Sequence, residues 1–264
     1  MRWKMLKVKA ILLILLTFIA GCATVGMESA FLPTEQEVRL GQSLKDEVFK
    51  KYPLYPNKEA QAYLQSVGQR IARNKTRPIP YEFYLVKSDE VNAFALPGGP
   101  VFVTTGLFKR LSSESELAAV LGHEISHVEL RHHAKFLEKV YGLNFLLNLA
   151  YVLSGGGARG EVVAQLGSIS ANLLALKFSR DQESEADQNG IKLMLQAGYD
   201  PYGMIRVFEM FKKMEKQRPP EWLSTHPLPE SRIVEAKRTV EMLRPSGALI
   251  TDTEEFHRIK RLVN

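Results

Sequence analysis

Cysteine is nearly missing from this 264-residue chain: Cys22 is the only one, so no disulfide can form within it. Long apolar runs are missing as well. A helix that spans a membrane needs about 18–20 apolar residues. Ala10–Ala20 offers eleven, and the mostly apolar stretches Tyr141–Leu153 and Val162–Phe178 also fall short, the second narrowly. No internal repeat or low-complexity tract is present. What remains is an ordinary globular composition, 45% hydrophobic and 24% charged.

The N-terminus differs from the rest. Arg2, Lys4, Lys7 and Lys9 precede Ala10–Ala20, and Gly21 and Cys22 follow. A basic segment, a short apolar segment and small residues at the cut read as a signal peptide over residues 1–21. Ile19-Ala20-Gly21-Cys22 resembles a bacterial lipobox, in which the cysteine is lipidated and becomes the mature N-terminus. Cys22 is therefore the expected membrane anchor, and Ala23 after it favours the outer membrane facing the periplasm. Removing the leader's four positive charges takes the formal +6 to +2. The basic balance is thus partly a targeting signal, and nucleic acid is not an expected partner. Residues 22–33 read as a tether, 34–245 as one domain and 246–264 as a C-terminal helix.

Thr34 and Glu37 form a capping box ahead of a helix carrying Leu40, Leu44 and Val48 on one face. Asn57 caps a second helix, striped by Ala60, Leu64, Val67 and Ile71. Tyr81–Val86, Asn92–Leu96 and Val101–Thr105 read as strands, the last two joined through Pro97-Gly98-Gly99-Pro100. Proline demotes its strand to an edge, where an extended peptide could add a strand; an ordinary hairpin turn fits equally. The apolar stretches around Gly155–Gly160 read as a helical hairpin: core helices, a lid over a cleft, or a membrane-facing surface. Asp200-Pro201 opens another helix, Pro229–Leu243 forms the next, and Phe256, Ile259 and Leu262 stripe the last. The fold class is α+β, mainly α, with a small sheet.

The chemistry centres on residues 113–135. Ser113 and Glu116 make a capping box for a helix holding His123, Glu124 and His127, the H-E-x-x-H arrangement. Residues four apart lie about 40° apart around a helix, so both imidazoles can face one divalent ion. Glu124 lies about 100° from His123, beside the ion, where it can take a proton from an attacking water. That arrangement suits zinc-dependent hydrolysis of an amide. Two helical histidines are otherwise usually surface or satisfied core residues, but the apolar Leu-Ala-Ala-Val-Leu-Gly before them points to burial, where polar groups need partners. Further on, a helix from Ser179 would put Glu183, Asp187, Gly190, Ile191 and Met194 on one face, ending at Gly198. Glu183 is a candidate third ligand, and Asp187 could bind the outer nitrogen of a ligand histidine, foremost His123. Solvated acids on a surface helix are the alternative.

H-E-I-S-H on an Ala/Leu-rich helix, then S-R-D-Q-E-S-E-A-D, then T-H-P-L-P-E-S-R, in that order, resembles one family. It is the gluzincin metallopeptidase family of the CAAX prenyl endopeptidases and the HtpX-like and BepA-like proteases, matched from about residue 34 to 243. Asn92–Gly99 also resembles the family's strand before the active helix. The resemblance implies a zincin-type domain with its small sheet beside the active-site helix. It implies one zinc per chain on His123, His127 and Glu183, with Glu124 as general base and Asp187 supporting a ligand. His226 would stabilise the oxyanion or occupy the open zinc position at rest, and Arg232 would serve substrate or oxyanion. Extended protein or peptide chains are the implied substrates, with degradation of misfolded envelope proteins as the role and outer-membrane assembly machinery as a possible partner. The chain as read leaves no room for the helical repeat domain that BepA-like proteins carry.

Two rivals stand beside this reading. His133 falls ten residues after His123, the spacing of a metzincin's third ligand. The turn glycine is replaced by Leu130, so the helix is expected to run on and carry His133 away. Alternatively, His226 closes the site and the protein is a zinc lipoprotein acting as a chaperone or assembly factor.

Overall fold

The computed structural model describes residues 32–264 apart from 157–159 and 217–218, and of residues 160–163 the backbone alone. The expected leader, Cys22 and most of the tether lie outside the described residues.

Helix α1 (Thr34–Lys51) buries Leu40, Leu44 and Val48 as its periodicity requires. The expected capping box does not form. Pro33 occupies the N-cap, and Glu37 is turned inward to Arg77, 2.6 Å away. A buried carboxylate gains more from a guanidinium than from a backbone N–H at a solvated helix end. In α2 (Lys58–Ala72) the cap forms as expected, with the Asn57 side chain accepting from the N–H groups of Glu59 and Ala60.

Strands β1 (Glu82–Val86), β2 (Ala93–Ala95) and β3 (Pro100–Thr104) lie in the order β1-β3-β2. β3 runs parallel to β1 and antiparallel to β2. This corrects the assignment of the proline-bearing strand to an edge. Pro100 is the first residue of the central strand, a position that tolerates a missing N–H, and β2 is the edge. Period-two alternation gives the sheet two apolar faces. Ala93, Ala95, Val101 and Val103 join one core, whereas Phe94, Leu96 and Phe102 join a second beneath α1. In the second core the Phe94 and Phe102 rings stack at 5.0 Å.

The remaining helices are α3 (Thr105–Arg110), α4 (Glu114–Glu129), α5 (His132–Tyr141), α6 (Leu143–Leu153), α7 (Gly160–Leu174), α8 (Arg180–Gln196), α9 (Tyr202–Glu215), α10 (Trp222–Thr225), α11 (Glu230–Leu243) and α12 (Glu254–Val263). Of the three readings of the apolar hairpin, the core reading describes α6 and α7: both pack on α1, supplying Leu146, Leu149, Leu166, Ile169 and Leu173 to the second core. Among the described residues no helix is long and apolar enough to cross a membrane. In α12 the buried stripe is Phe256, Ile259 and Val263, with Val263 in place of the expected Leu262.

α4 runs through the middle, with every residue from Glu114 to Val128 buried. Its closest neighbour is α8, and the two cross at glycines. A Cβ on Gly190 would lie 3.0 Å from the Gly122 carbonyl carbon and 3.1 Å from the His123 nitrogen. That approach sets the distance between the H-E-x-x-H motif and the acids of α8. Gly190→Leu is expected to force the helices apart and cost about 1–3 kcal/mol, read as a lower urea midpoint with unchanged slope.

Candidate metal centre

Local sequence puts each functional side chain in place. The Ser113 hydroxyl accepts from the Glu116 N–H and starts α4. Only half of the expected box closes, because the Glu116 carboxylate accepts from the Ser112 N–H instead. At α8 the Ser179–Gln182 capping box is complete. α8 then turns Glu183 and Asp187 inward, and the short α10 delivers His226 at its C-cap.

Four side chains meet. His123, His127, Glu183 and His226 each offer one ligand atom, all four atoms lie within 4.8 Å of one another, and all four residues are buried. His127 Nε2 is 3.0 Å from His123 Nε2, which is 3.2 Å from His226 Nδ1. Glu183 Oε1 lies 2.9 Å from His226 Nδ1 and 3.5 Å from His127 Nε2. A tetrahedral ion with bonds of about 2.0–2.1 Å separates its ligand atoms by roughly 3.3–3.4 Å, so the donor set fits zinc. The fit has a second basis. Imidazole nitrogens this close, converging on one carboxylate, need a cation or shared protons between them.

Hydrogen bonds behind the cluster fix the rings. Asp187 Oδ1 is 2.9 Å from His123 Nδ1, as expected from the sequence. Arg232, 2% exposed, donates from Nε and Nη2 to Asp187, both at 2.7 Å, and from Nη1 to the Pro227 carbonyl at 2.8 Å. Its Nη1 also lies 2.5 Å from Glu183 Oε2. Every nitrogen of the guanidinium is engaged, so Arg232 braces the two acids and does not face open space; the expectation of a substrate or oxyanion contact gives way on that ground. Burial opposes ionisation of Asp187 and Glu183, yet Arg232 and the histidines hold both below the usual carboxylate range. Burial likewise opposes protonation of His123, but Asp187 and Glu183 outweigh it and raise its pKa. His127 is pushed well down by burial and by its neighbouring histidines.

Glu124 stands beside the cluster, outside the ligand set. Its Oε1 is 3.4 Å from the Trp222 indole nitrogen and 3.7 Å from His226 Nε2, and its Oε2 has no hydrogen-bond partner among the described residues. His226 is stacked on Trp222, with ring centres 4.6 Å apart.

A further expectation fails. The motif helix does not run on past Leu130: Arg131 takes a left-handed conformation at φ 61, and α5 restarts at His132. Arg131 is held there by a bond to the Leu32 carbonyl and by Glu37 and Glu138 at 3.7 Å. His133 is outside the ligand set all the same, its ring 6.0 Å from His127, so the site has no metzincin ligand. The turn instead brings in His132, which sequence reasoning missed. Its Nδ1 is 2.9 Å from His127 Nδ1, and its Nε2 is 3.2 Å from Glu185. With the His127 Nε2 lone pair turned to the cluster, Nδ1–H donates to His132, which donates on to Glu185. Phe178 and Trp222 were missed too; Phe178 stacks on His127 at 3.9 Å. No periodicity marks them, since Phe178 acts from a loop and Trp222 from the one-turn helix α10, both outside the motifs.

A buried His-His-Glu-His site drawn from a motif helix, its partner and the C-cap of α10, beside a small sheet, defines a metallopeptidase. The family model of peptidase family M48 matches residues 58–240, and the chain belongs to that family. It is 32% identical over 240 residues to the beta-barrel assembly-enhancing protease of Escherichia coli, covering 85% of this chain and 47% of that protein. The Yersinia pestis protein of the same name is 34% identical over 248 residues, covering 88% and 50%. The metalloprotease LoiP of Escherichia coli is 32% identical over 177 residues, covering 67% and 69%. The chain thus spans about half the length of the beta-barrel assembly-enhancing proteases it matches.

Two outcomes are expected. His132→Ala frees the His127 ring and should weaken zinc binding about 10–100-fold by competition with a chromogenic chelator, with Glu185→Gln acting in the same direction. Burial holds His133 down to about 3. The unfolded chain, with an ordinary value of about 6.5, binds its proton first as pH falls. This contribution is therefore whole above about 6.5 and is lost from there towards about 3. His133→Phe in EDTA-treated protein should flatten the fall of the urea midpoint between pH 6.5 and 4.5.

Proposed function

We propose that the chain is a zinc-dependent endopeptidase of the bacterial envelope, anchored through lipidated Cys22, that cleaves misfolded or misassembled envelope proteins in extended conformation. The observation that carries the catalytic part is Glu124: a buried carboxylate with one free oxygen, beside the ligand set and outside it. His123, His127 and Glu183 would hold zinc, one ion per chain, with Asp187 behind His123. Bound zinc supplies Lewis-acid chemistry, making a water acidic and polarising a carbonyl. Glu124 Oε2 accepts the proton of the attacking water and passes it to the leaving amine. His226, once off the ligand position, is close enough to donate to the developing oxyanion. The β2 edge can seat the substrate strand. A part in beta-barrel assembly is supported by the name of the beta-barrel assembly-enhancing proteases, and the outer-membrane location facing the periplasm by the lipobox resemblance.

A second reading is favoured by His226 itself. Its Nδ1 sits among the ligand atoms, 2.9 Å from Glu183, and in this reading it keeps the fourth position closed at rest. A protein that stays closed acts as a chaperone or assembly factor.

Glu124→Gln should keep one zinc per chain and lose casein cleavage by about 10²–10⁴-fold. His226→Ala distinguishes the two readings. Wild-type silence with cleavage by His226→Ala identifies a latched peptidase; silence in both, with zinc bound, rejects the peptidase reading.

A further inference from the structure

Two cavities adjoin the chain around His226. One of about 430 Å³ is lined by Ser224 and Thr225, just before it, together with Glu47, Lys51 and Glu221. The other, about 620 Å³, reaches Pro227, just after it. The second shares a wall with the metal centre, because the Phe178 ring that stacks on His127 also lines it.

Charge separates the two. Lys135, Lys139, Lys177 and Arg180 line the second cavity, and none of its lining residues is acidic. All four are exposed, and none forms an ion pair among the described residues. Other exposed cations, Lys58, Lys75 and Lys192 among them, also lack an ion pair among the described residues, whereas Arg39, Lys50, Lys212, Lys237 and Arg258 sit beside carboxylates; what sets the four apart is that they line one cavity without an acid. Four like charges around one opening repel one another, and a cleft of one sign concentrates ligands of the other. The first cavity mixes two acids with one lysine and offers no such field.

We propose that this second cavity is a substrate subsite for acidic side chains of the polypeptide. The inference deepens the peptidase reading and rests on it. An extended chain advances about 3.3 Å per residue, so a strand crossing the position of His226 brings residues on one side of the reacting bond over Phe178 and among the four cations. Glu or Asp there is favoured; Lys or Arg is repelled. The preference is one-sided, since the other cavity carries Glu47 and Glu221.

The experiment uses zinc-loaded Glu124→Gln protein, which binds without cutting. Fluorescein-labelled dodecapeptides of one sequence, with a Glu pair or a Gln pair near one end, are titrated by anisotropy at 50 and 300 mM NaCl. The Glu peptide should bind about three- to tenfold more tightly at low salt, and less so at high salt. Lys135→Ser/Lys177→Ser should abolish that advantage. Lys212→Ser/Lys237→Ser, on α9 and α11, should leave it intact. Equal affinities, no binding of either peptide, or an advantage that survives Lys135→Ser/Lys177→Ser overturns the inference. So does a variant that loses only its binding to phosphatidylglycerol vesicles, which assigns the cations to a lipid surface. Casein cleavage by wild-type and His226→Ala protein is read in parallel. Cleavage without acid preference removes the subsite alone, whereas bound zinc without cleavage in either removes the peptidase reading.

Discussion

The contact of Arg232 with Asp187 and Glu183 is the interaction on which the site depends. Two carboxylates, three imidazoles and a guanidinium are packed almost without solvent between α4, α8, α10 and α11. Each charge alone would carry a desolvation cost of several kcal/mol. Together they are mutually satisfied: Arg232 neutralises the acids, Asp187 orients His123, and Glu183 faces the remaining ligand atoms. Arg232 also binds the Pro227 carbonyl, which ties the loop bearing His226 to the same group. The candidate metal ligands, their supports and the loop bearing His226 are thus one electrostatic unit.

The rest of the fold makes that unit possible. Glycines at the α4–α8 crossing let two backbones approach until side chains four residues apart on one helix reach the first inward turn of the other. The sheet separates two apolar cores, so the site is backed by packed side chains on the α4 side and by α1, α6 and α7 beyond. The left-handed turn at Arg131 adds one more layer, folding α5 back so that His132 meets His127.

Much of this was legible in the sequence because it follows local rules. H-E-x-x-H on an apolar helix, and Glu183 and Asp187 at i and i+4 on α8, state their geometry through helical periodicity, whereas His226 ahead of a proline was expected only from the family resemblance. Asn57 and Gly198 mark helix ends through cap chemistry. The illegible parts depend on long-range choices. Glu37 leaves its expected capping box for Arg77, forty residues away in the chain. Pro100 sits in a central strand because the sheet order is decided by packing on two faces. Leu130-Arg131-His132 carries no glycine or proline, so nothing local announces the break there; Arg131 is held left-handed by Leu32 and Glu37 at the start of α1 and by Glu138 of α5.

The central claim is that this buried cluster is a zinc site with His226 as its fourth ligand at rest. X-ray absorption at the zinc edge on the zinc-loaded wild-type protein tests it most directly. The account predicts one zinc per chain with a four-coordinate shell of nitrogen and oxygen at about 2.0–2.1 Å and the multiple-scattering signature of three imidazoles. A signature of two imidazoles with a water would contradict the closed resting state. Failure to retain stoichiometric zinc would contradict the site itself.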